Sequence, residues 1–213
     1  MHDLTTAPTL TFHQLGCSKG GRKLFQNVNC KLEAGRWLYV AGANGVGKTS
    51  LLRMLCGLTP IEFGDIHWNG ESICKQSDSY RQDLFYLGHL NALQESMTVN
   101  ENIVFSAALG GFSVDPDAIP ELLVRFGVGG RGSQLVRHLS QGQKRRVALS
   151  RLALSPARLW VLDEPFVAMD ESGIRMLAAL LAKHLDNGGL AVVTSHQTVD
   201  IGGIPAQLLD LSA

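Results

Sequence analysis

The sequence lacks the features that would direct a protein to nucleic acid, to a lipid surface or across a membrane. Its 19 Lys+Arg residues balance 19 Asp+Glu residues, so the formal net charge is zero. Such a chain has no general electrostatic attraction for nucleic acid or anionic lipid. No stretch reaches the ~18 uninterrupted apolar residues of a membrane span. The N-terminal MHDLTTAPTLTF does not resemble a signal peptide, because it has no basic flank and no long apolar run. We therefore expect no nucleic-acid partner, and docking onto protein rather than onto lipid.

Paired cysteines are also missing. The four cysteines, at positions 17, 30, 56 and 74, are scattered and form no C-x-x-C pair. This spacing argues against a zinc site and against a haem attachment site, and it favours reduced thiols.

The apolar pattern changes along the chain and predicts an α/β fold. The first third alternates as strands do, and Asn69-Gly70 is a strong hairpin signal. Residues 87–155 have helical spacing bounded by glycine and proline. Residues 156–213 alternate between strand and helix, which argues for a parallel sheet. We predict one domain, 1–213, with a core of about 1–86 and 156–213 and an inserted helical subdomain of about 87–155.

A phosphate-binding loop follows the apolar strand RWLYVAG. The segment GANGVGKTS matches G-x-x-x-x-G-K-[ST], in which backbone amides surround phosphate oxygens, lysine reaches the β- and γ-phosphates, and threonine ligates Mg²⁺. A buried strand before the loop and an amphipathic helix after it are the context that this motif requires. The nucleotide-binding residues that we expect are Gly42, Ala43, Asn44, Gly45, Val46, Gly47, Lys48, Thr49 and Ser50.

Two acids end the apolar strand LWVLDE. Asp163 is placed to bind Mg²⁺, and Glu164 is then free to orient or deprotonate the attacking water. Paired acids at a strand end can also mark a solvated turn, but the phosphate loop elsewhere in the chain favours the catalytic interpretation.

The segment LSQGQKRR predicts a second anion-binding element. Ser140 and Gln143 have the spacing of a capping box, so a helix is expected to begin after Ser140. A helix N-terminus attracts anions through its free amides and its dipole. The residues expected at this element are Ser140, Gln141, Gly142 and Gln143.

Five motifs in order resemble the nucleotide-binding subunit of ABC transporters: GANGVGKT, LSQGQ, LWVLDE, VAMD and the histidine after LAVVTS. The family usually has glycine at the third place of LSQGQ. The resemblance implies an α/β P-loop NTPase core of the ABC type, with an N-terminal antiparallel β subdomain and an inserted helical subdomain. It implies ATP and Mg²⁺ as cofactors. It also implies a head-to-tail homodimer in which LSQGQ of one copy contacts the γ-phosphate of ATP bound to the other.

Further roles follow from the same resemblance. His196 would contact the γ-phosphate and help to hold the water of Glu164, although a histidine at a strand end can also be purely structural. Asp170 would pass signals between subunits, or stabilise the dipole of the following helix. The segment 90–105 would grip a cytoplasmic helix of an integral membrane subunit, or pack within the helical subdomain.

Two positions depart from the family pattern. An aromatic that stacks on adenine is expected near Lys19, where none is found, so discrimination between ATP and GTP is expected to be weak. The glutamine expected after DLFYLG is replaced by His89, which has a shorter arm and is assigned here as a metal contact, with Gln94 as the second candidate.

Within the family, one subgroup shares FYLGHLNAL, LSQGQKRRVALSRL, LWVLDEPFVAMD and HLDNGGLAVVTSHQ. These segments resemble the ATP-binding subunit of the bacterial cytochrome c maturation (haem exporter) system. The resemblance implies haem-handling permease subunits as partners, a peripheral place on the cytoplasmic face of the inner membrane, and hydrolysis linked to release of a haem-loaded periplasmic chaperone. Three alternatives stay open: another ABC cargo, an ABC ATPase outside transport, and a small-molecule kinase, which would give LSQGQ no role.

Overall fold

The computed structural model describes residues 7–196 and 199–212. The chain divides into two compact units. The first comprises Met1–Tyr86, Ala157–Pro165 and Leu181–Ala213, and the second comprises Leu87–Pro156 and Phe166–Leu180. The segment Phe166–Leu180 groups with the second unit, whereas the alternation of strand and helix in the sequence had placed it with the core.

Strands predominate at the start of the chain, and helices predominate in the middle. The strands are β1 (Thr9–Lys19), β2 (Arg22–Glu33), β3 (Trp37–Ala41), β4 (Phe63–Trp68), β5 (Glu71–Ser72), β6 (Leu84–Leu87), β7 (Leu159–Asp163), β8 (Leu190–Thr194) and β9 (Gln207–Asp210). The α-helices are α1 (Lys48–Leu55), α2 (Ser77–Gln82), α3 (Val99–Leu109), α4 (Ile119–Arg125), α5 (Gln141–Ser150) and α6 (Glu171–Asp186). Short 3-10 helices lie at Pro116–Ala118, Val136–His138 and Leu152–Leu154.

An antiparallel sheet with strand order β2-β1-β4-β5 lies in the first unit. The predicted hairpin joins β4 to β5. Asn69 and Gly70 both have positive φ, 54° and 83°, as a two-residue type I′ turn requires, and Trp68 pairs with Glu71 across it. The hairpin prediction is confirmed.

A second sheet has the strand order β6-β7-β8-β3-β9. The β7–β8, β8–β3 and β3–β9 pairs are parallel. Every residue of β7 and β8 is buried, as expected for parallel strands that are covered on both faces. Because the carboxyl ends of parallel strands meet at one edge, the residues after β3, β7 and β8 are brought together there.

One apolar core supports both sheets of the first unit. Helix α1 contributes Leu51, Leu52, Met54 and Leu55, and the same cluster contains side chains of β1, β2, β3, β4, β7 and β8. The phosphate loop is therefore attached at both ends to buried elements.

The second unit contains α3, α4 and α5 and the first part of α6. Helix α3 begins with a capping box in which Thr98 accepts a hydrogen bond from the amide of Glu101 and the Glu101 carboxylate accepts from Thr98. The capping box predicted at Ser140 and Gln143 is present and starts α5. Among the described helices, none has the length and apolar character needed to cross a membrane.

Candidate nucleotide site

The phosphate loop joins the end of β3 to the start of α1, and at Gly42 and Gly47 its backbone has a conformation that favours glycine. Gly42 has φ 137° and Gly47 has φ 114°. A Cβ at Gly42 would lie 2.8 Å from Val46 Cγ1, and one at Gly47 would lie 2.9 Å from Phe25 Cδ1. A side chain at either position would therefore meet both backbone strain and a steric clash. The loop stands at the N-terminus of α1, where free amides and the helix dipole favour phosphate.

Lys48 lies over this loop. Its Nζ donates hydrogen bonds to the carbonyl oxygens of Gly42 at 2.7 Å and Ala43 at 3.3 Å, and the residue is buried. The ammonium group is thus held beside the amides that would surround a triphosphate. These residues fit the phosphates of a nucleotide, because amides and an ammonium group are the donors that phosphate oxygens accept from.

Thr49 and Asp163 meet at the edge of the parallel sheet. The Thr49 hydroxyl donates to Asp163 Oδ2 at 2.9 Å. These are hard oxygen ligands of the kind that Mg²⁺ uses together with phosphate, so the pair fits a magnesium ion. Burial, and then the negative charge of Asp163, raises the pKa of the nearby Tyr86 phenol to about 12, which keeps that phenol neutral.

Glu164 and His196 lie together just beyond β7 and β8. His196 Nε2 is 3.3 Å from Glu164 Oε1. Glu164 has φ 50°, which is unusual for a residue with a side chain. The segment before His196 is held by Tyr39, whose hydroxyl donates to the carbonyl oxygen of Ser195 at 2.7 Å.

Thr194 was not predicted as a site residue, yet it contacts both acids. Its hydroxyl donates to Asp163 Oδ1 at 2.7 Å and accepts from the Glu164 amide at 2.9 Å. The only sequence signal is a threonine at the end of a buried strand. The sequence does not reveal that Thr194 stands opposite Asp163 in the parallel register.

In the second unit, the start of α5 has the geometry of an anion-binding helix end. The backbone amide of Gln143 donates to Ser140 Oγ at 3.2 Å, and Gln143 Oε1 accepts from the backbone amide of Ser140 at 2.9 Å. The first amides of a helix have no intrahelical acceptor. Because the Gln143 amide is satisfied by Ser140, the amides of Gln141 and Gly142 are the ones that the helix geometry leaves without an intrahelical acceptor.

Two cationic side chains of α5 tie it to other parts of the second unit. Arg146 Nη2 contacts the Asp170 carboxylate, and hydrogen bonds from Ser172 and Gly173, followed by Arg146, lower the pKa of Asp170. Lys144 forms an ion pair with Glu95. The residue expected to signal between copies is thus attached to the helix expected to contact nucleotide.

His89 lines a cavity of about 510 Å³ within the second unit. Its other lining residues include Leu90, Glu95, Gln141 and Lys144, and Leu90 is 80% exposed. The proposed metal contact of His89 stays a prediction. Lys19 is the last residue of β1 and pairs with Arg22 across the sheet. Neither side chain is aromatic, so this pair offers no ring on which adenine could stack.

Together, the phosphate loop after the parallel strand β3, the acid pair at the end of β7, which is separated from β3 by β8, and the antiparallel sheet define a nucleotide-binding ATPase of the ABC type. The model of the ABC transporter family matches residues 25–167. A solved structure, a putative ABC transporter ATP-binding protein from Pyrococcus furiosus, has a TM-score of 0.82 and covers 96% of this chain and 98% of its own. At 24% identity, it supports the fold alone.

Relatives with closer sequences narrow the assignment. The cytochrome c biogenesis ATP-binding export protein CcmA of Albidiferax ferrireducens is 73% identical over 210 residues, which is 99% of this chain and 100% of the relative. The protein with the same name from Dechloromonas aromatica is 49% identical over 187 residues, covering 88% and 92% of the two chains. The chain therefore belongs to the ABC transporter family, within the group of cytochrome c biogenesis ATP-binding export proteins. The predicted fold class and family are confirmed.

Proposed function

We propose that this chain is the ATP-hydrolysing subunit of a cytochrome c biogenesis export system of the ABC type, acting in haem export for cytochrome maturation. The observation that carries the catalytic part is the continuous set of contacts from Thr49 through Asp163 and Thr194 to Glu164 and His196. The role in transport is supported by the membership of this chain in the group of cytochrome c biogenesis export proteins.

The residues of the first unit have distinct tasks in hydrolysis. The phosphate-loop amides and Lys48 bind the β- and γ-phosphates, and Thr49 with Asp163 would hold Mg²⁺, which when bound neutralises phosphate charge. Glu164 orients the attacking water and accepts its proton. His196, 3.3 Å from Glu164, helps to hold that water and the γ-phosphate. Phosphoryl transfer depends mainly on such positioning and charge stabilisation.

The site is proposed to be completed by a second copy of the chain. The N-terminus of α5, with Ser140 and the amides of Gln141 and Gly142, supplies donors for a γ-phosphate. In a head-to-tail homodimer each copy contributes its phosphate loop to one site and its Ser140 element to the other. One chain alone is then expected to hydrolyse ATP poorly.

The cavity lined by His89, Leu90 and Glu95 is proposed to receive an integral membrane subunit. An exposed leucine beside an acidic and a basic side chain suits the end of an amphipathic helix. This contact would place the chain peripherally on the cytoplasmic face of the bacterial inner membrane, where hydrolysis is coupled to release of a haem-loaded periplasmic chaperone.

Complementation tests the overall proposal. A bacterium without its own copy of this gene is given the wild-type chain, Glu164→Gln or the control Glu71→Gln, which alters an exposed residue of β5. We expect wild type and Glu71→Gln to restore covalently attached haem in c-type cytochromes, and Glu164→Gln to fail. Restoration by Glu164→Gln at equal expression would contradict a role of ATP hydrolysis in the system.

Docking is tested separately by co-purification with membrane proteins. We expect Leu90→Glu to lose the membrane subunits but retain ATP binding. Leu109→Glu is the matched control, since Leu109 is 74% exposed in the same unit but does not line the cavity. If both variants retain the membrane subunits equally, the docking site does not include Leu90 and the proposed location is wrong.

A further inference from the structure

We propose that Thr194 is a positioning residue for hydrolysis, in which one buried hydroxyl sets the orientation of the magnesium-binding acid and of the catalytic acid. This inference rests on the proposed function of Asp163 and Glu164. It adds a residue that neither the phosphate loop nor the acid pair contains. Thr194 is fully buried, so its hydroxyl belongs to the site's framework and does not face solvent.

The direction of each hydrogen bond follows from chemistry. An ionised carboxylate only accepts, so the single proton of the Thr194 hydroxyl is donated to Asp163 Oδ1, 2.7 Å away. A backbone amide only donates, so the Glu164 N–H donates to the hydroxyl oxygen of Thr194, 2.9 Å away. One hydroxyl thus acts as donor to one acid and acceptor from the next.

The Thr194 hydroxyl contacts only one carboxylate oxygen of Asp163, and the other oxygen faces Thr49, the second proposed magnesium ligand. Oδ1 accepts from Thr194, while Oδ2 accepts from Thr49. Asp163 and Thr194 are also direct partners in the parallel register of β7 and β8. Hydroxyls on both oxygens therefore help to orient the carboxylate, and loss of Thr194 would remove the restraint on Oδ1.

The contact to Glu164 acts on the backbone. Glu164 has φ 50°, a left-handed conformation that a residue with a side chain adopts only when its surroundings hold it there. The hydrogen bond from its backbone amide to the Thr194 hydroxyl is one such restraint. The turn directs the Glu164 carboxylate to His196 Nε2, 3.3 Å away. Without the hydroxyl, the turn and the direction of the carboxylate are less restrained.

Two substitutions separate this role from packing. Thr194→Val has nearly the same shape but can neither donate nor accept, whereas Thr194→Ser retains the hydroxyl and loses a methyl group. Thr11→Val, in β1, is the matched control for the same chemical change outside the site. All variants are made in the full chain, and rates are expressed per folded molecule, measured by circular dichroism.

Steady-state ATP hydrolysis gives the first readout. We expect Thr194→Val to lower kcat roughly 10- to 100-fold, the scale of a misplaced catalytic group, with a much smaller change in KM. Thr194→Ser is expected to retain at least about a third of the wild-type kcat, because its hydroxyl makes both bonds. Unchanged kcat in Thr194→Val, or an equal loss in Thr194→Ser, would overturn the proposal. If the valine variant does not fold, Thr194→Ala is judged by the same criteria.

A binding readout tests the magnesium side without turnover. We expect the Mg²⁺ concentration needed for half-maximal binding of a fluorescent ATP analogue to rise in Thr194→Val and to stay at the wild-type value in Thr194→Ser. An unchanged Mg²⁺ requirement in both variants would contradict an action through Asp163.

The glutamate side is tested by combining Thr194→Val with Glu164→Gln. If Thr194 acts partly through Glu164, the loss in the double variant is smaller than the product of the two single losses, because residues of one functional unit are not additive. Full additivity would reject that action. Should Glu164→Gln itself hydrolyse ATP at the wild-type rate, the proposed function fails, which is distinguishable from a Thr194 variant that fails alone.

Discussion

Arg158 donates hydrogen bonds through Nη2 and Nε to the two carboxylate oxygens of Asp83, at 2.8 and 3.3 Å. Trp68 Nε1 donates to the same carboxylate at 2.9 Å. Asp83 stands directly before β6, Arg158 directly before β7 and Trp68 at the end of β4. These three side chains therefore connect the antiparallel sheet to the strand that carries Asp163.

We predict that Asp83→Ala lowers the free energy of unfolding by about 2–4 kcal/mol, because it removes the carboxylate that accepts hydrogen bonds from a largely buried arginine and from an indole N–H. The Arg158 and Asp83 side chains are only 22% and 13% exposed. Urea denaturation measures the change. The control is Asp78→Ala, in α2, whose side chain is 94% exposed, and its effect should lie within about 0.5 kcal/mol. Similar losses in the two variants would show that the Asp83 contacts add nothing specific.

We predict that Glu164→Gln lowers ATP turnover by at least about 100-fold, since the variant loses the group proposed to take the proton of water. The amide keeps the size of the side chain, so ATP binding and the ATP-dependent dimer should persist. Light scattering with and without ATP measures the dimer. An inactive variant that stays monomeric with ATP would contradict the proposed arrangement of the two copies.

Mixing two inactive variants tests whether each site is shared between copies. Lys48→Ala disables the phosphate loop, and Ser140→Arg disables the start of α5. In a mixed dimer, one site combines the intact Lys48 with the intact Ser140, so we predict that part of the activity returns. Each variant alone serves as its own control. No recovery from folded and mixed chains would argue that one copy completes its own site.

The parts of the site that sequence predicts are those built from neighbouring residues. The phosphate loop is contained in nine successive residues, and the Ser140 capping box needs only a partner three positions on. Both are governed by local backbone geometry. The hairpin at Asn69-Gly70 was predictable for the same reason.

The parts that sequence does not predict depend on register between distant strands. Thr194 meets Asp163 across 31 positions, and Arg158 meets Asp83 across 75. Strand β9 was also missed. It pairs with β3, but it is only four residues long and its burial does not alternate, so it gives little periodic signal. Such contacts follow from the assembled sheet and have no local pattern.

We predict a modest preference for ATP over GTP, below ~100-fold, or about 2.7 kcal/mol. Lys19, at the end of β1, occupies the place where an adenine-stacking aromatic is expected, and an alkyl stem contacts either purine. Competition between the two nucleotides for binding, measured with a fluorescent analogue, gives the ratio. Lys19→Tyr should tighten binding of nucleotide by adding a stacking surface. Stronger discrimination in the wild-type chain would mean that another residue recognises the base.

His184 links stability to pH. Its ring stacks on Trp160 with 3.8 Å between ring centroids and 8° between the planes, and its Nε2 lies 3.0 Å from the carbonyl oxygen of Leu190. Burial lowers the pKa of His184 below its ordinary value of 6.5, against the opposing effect of the Leu190 and Arg158 carbonyls. The folded chain therefore holds the neutral imidazole more firmly than the unfolded chain does.

The sign of the pH effect follows. Below about pH 6.5 the unfolded state binds the proton first, so the free energy of unfolding falls as the pH drops toward the folded-state pKa, and it is fully restored above 6.5. We predict that His184→Phe, which keeps an aromatic ring but cannot titrate, flattens this slope between pH 7 and 5 in urea denaturation. His138→Gln, at an exposed position, is the control and should retain the wild-type slope. A wild-type slope in His184→Phe would assign the acid sensitivity to other groups, because His184 is the only residue of the stacked pair that takes up a proton.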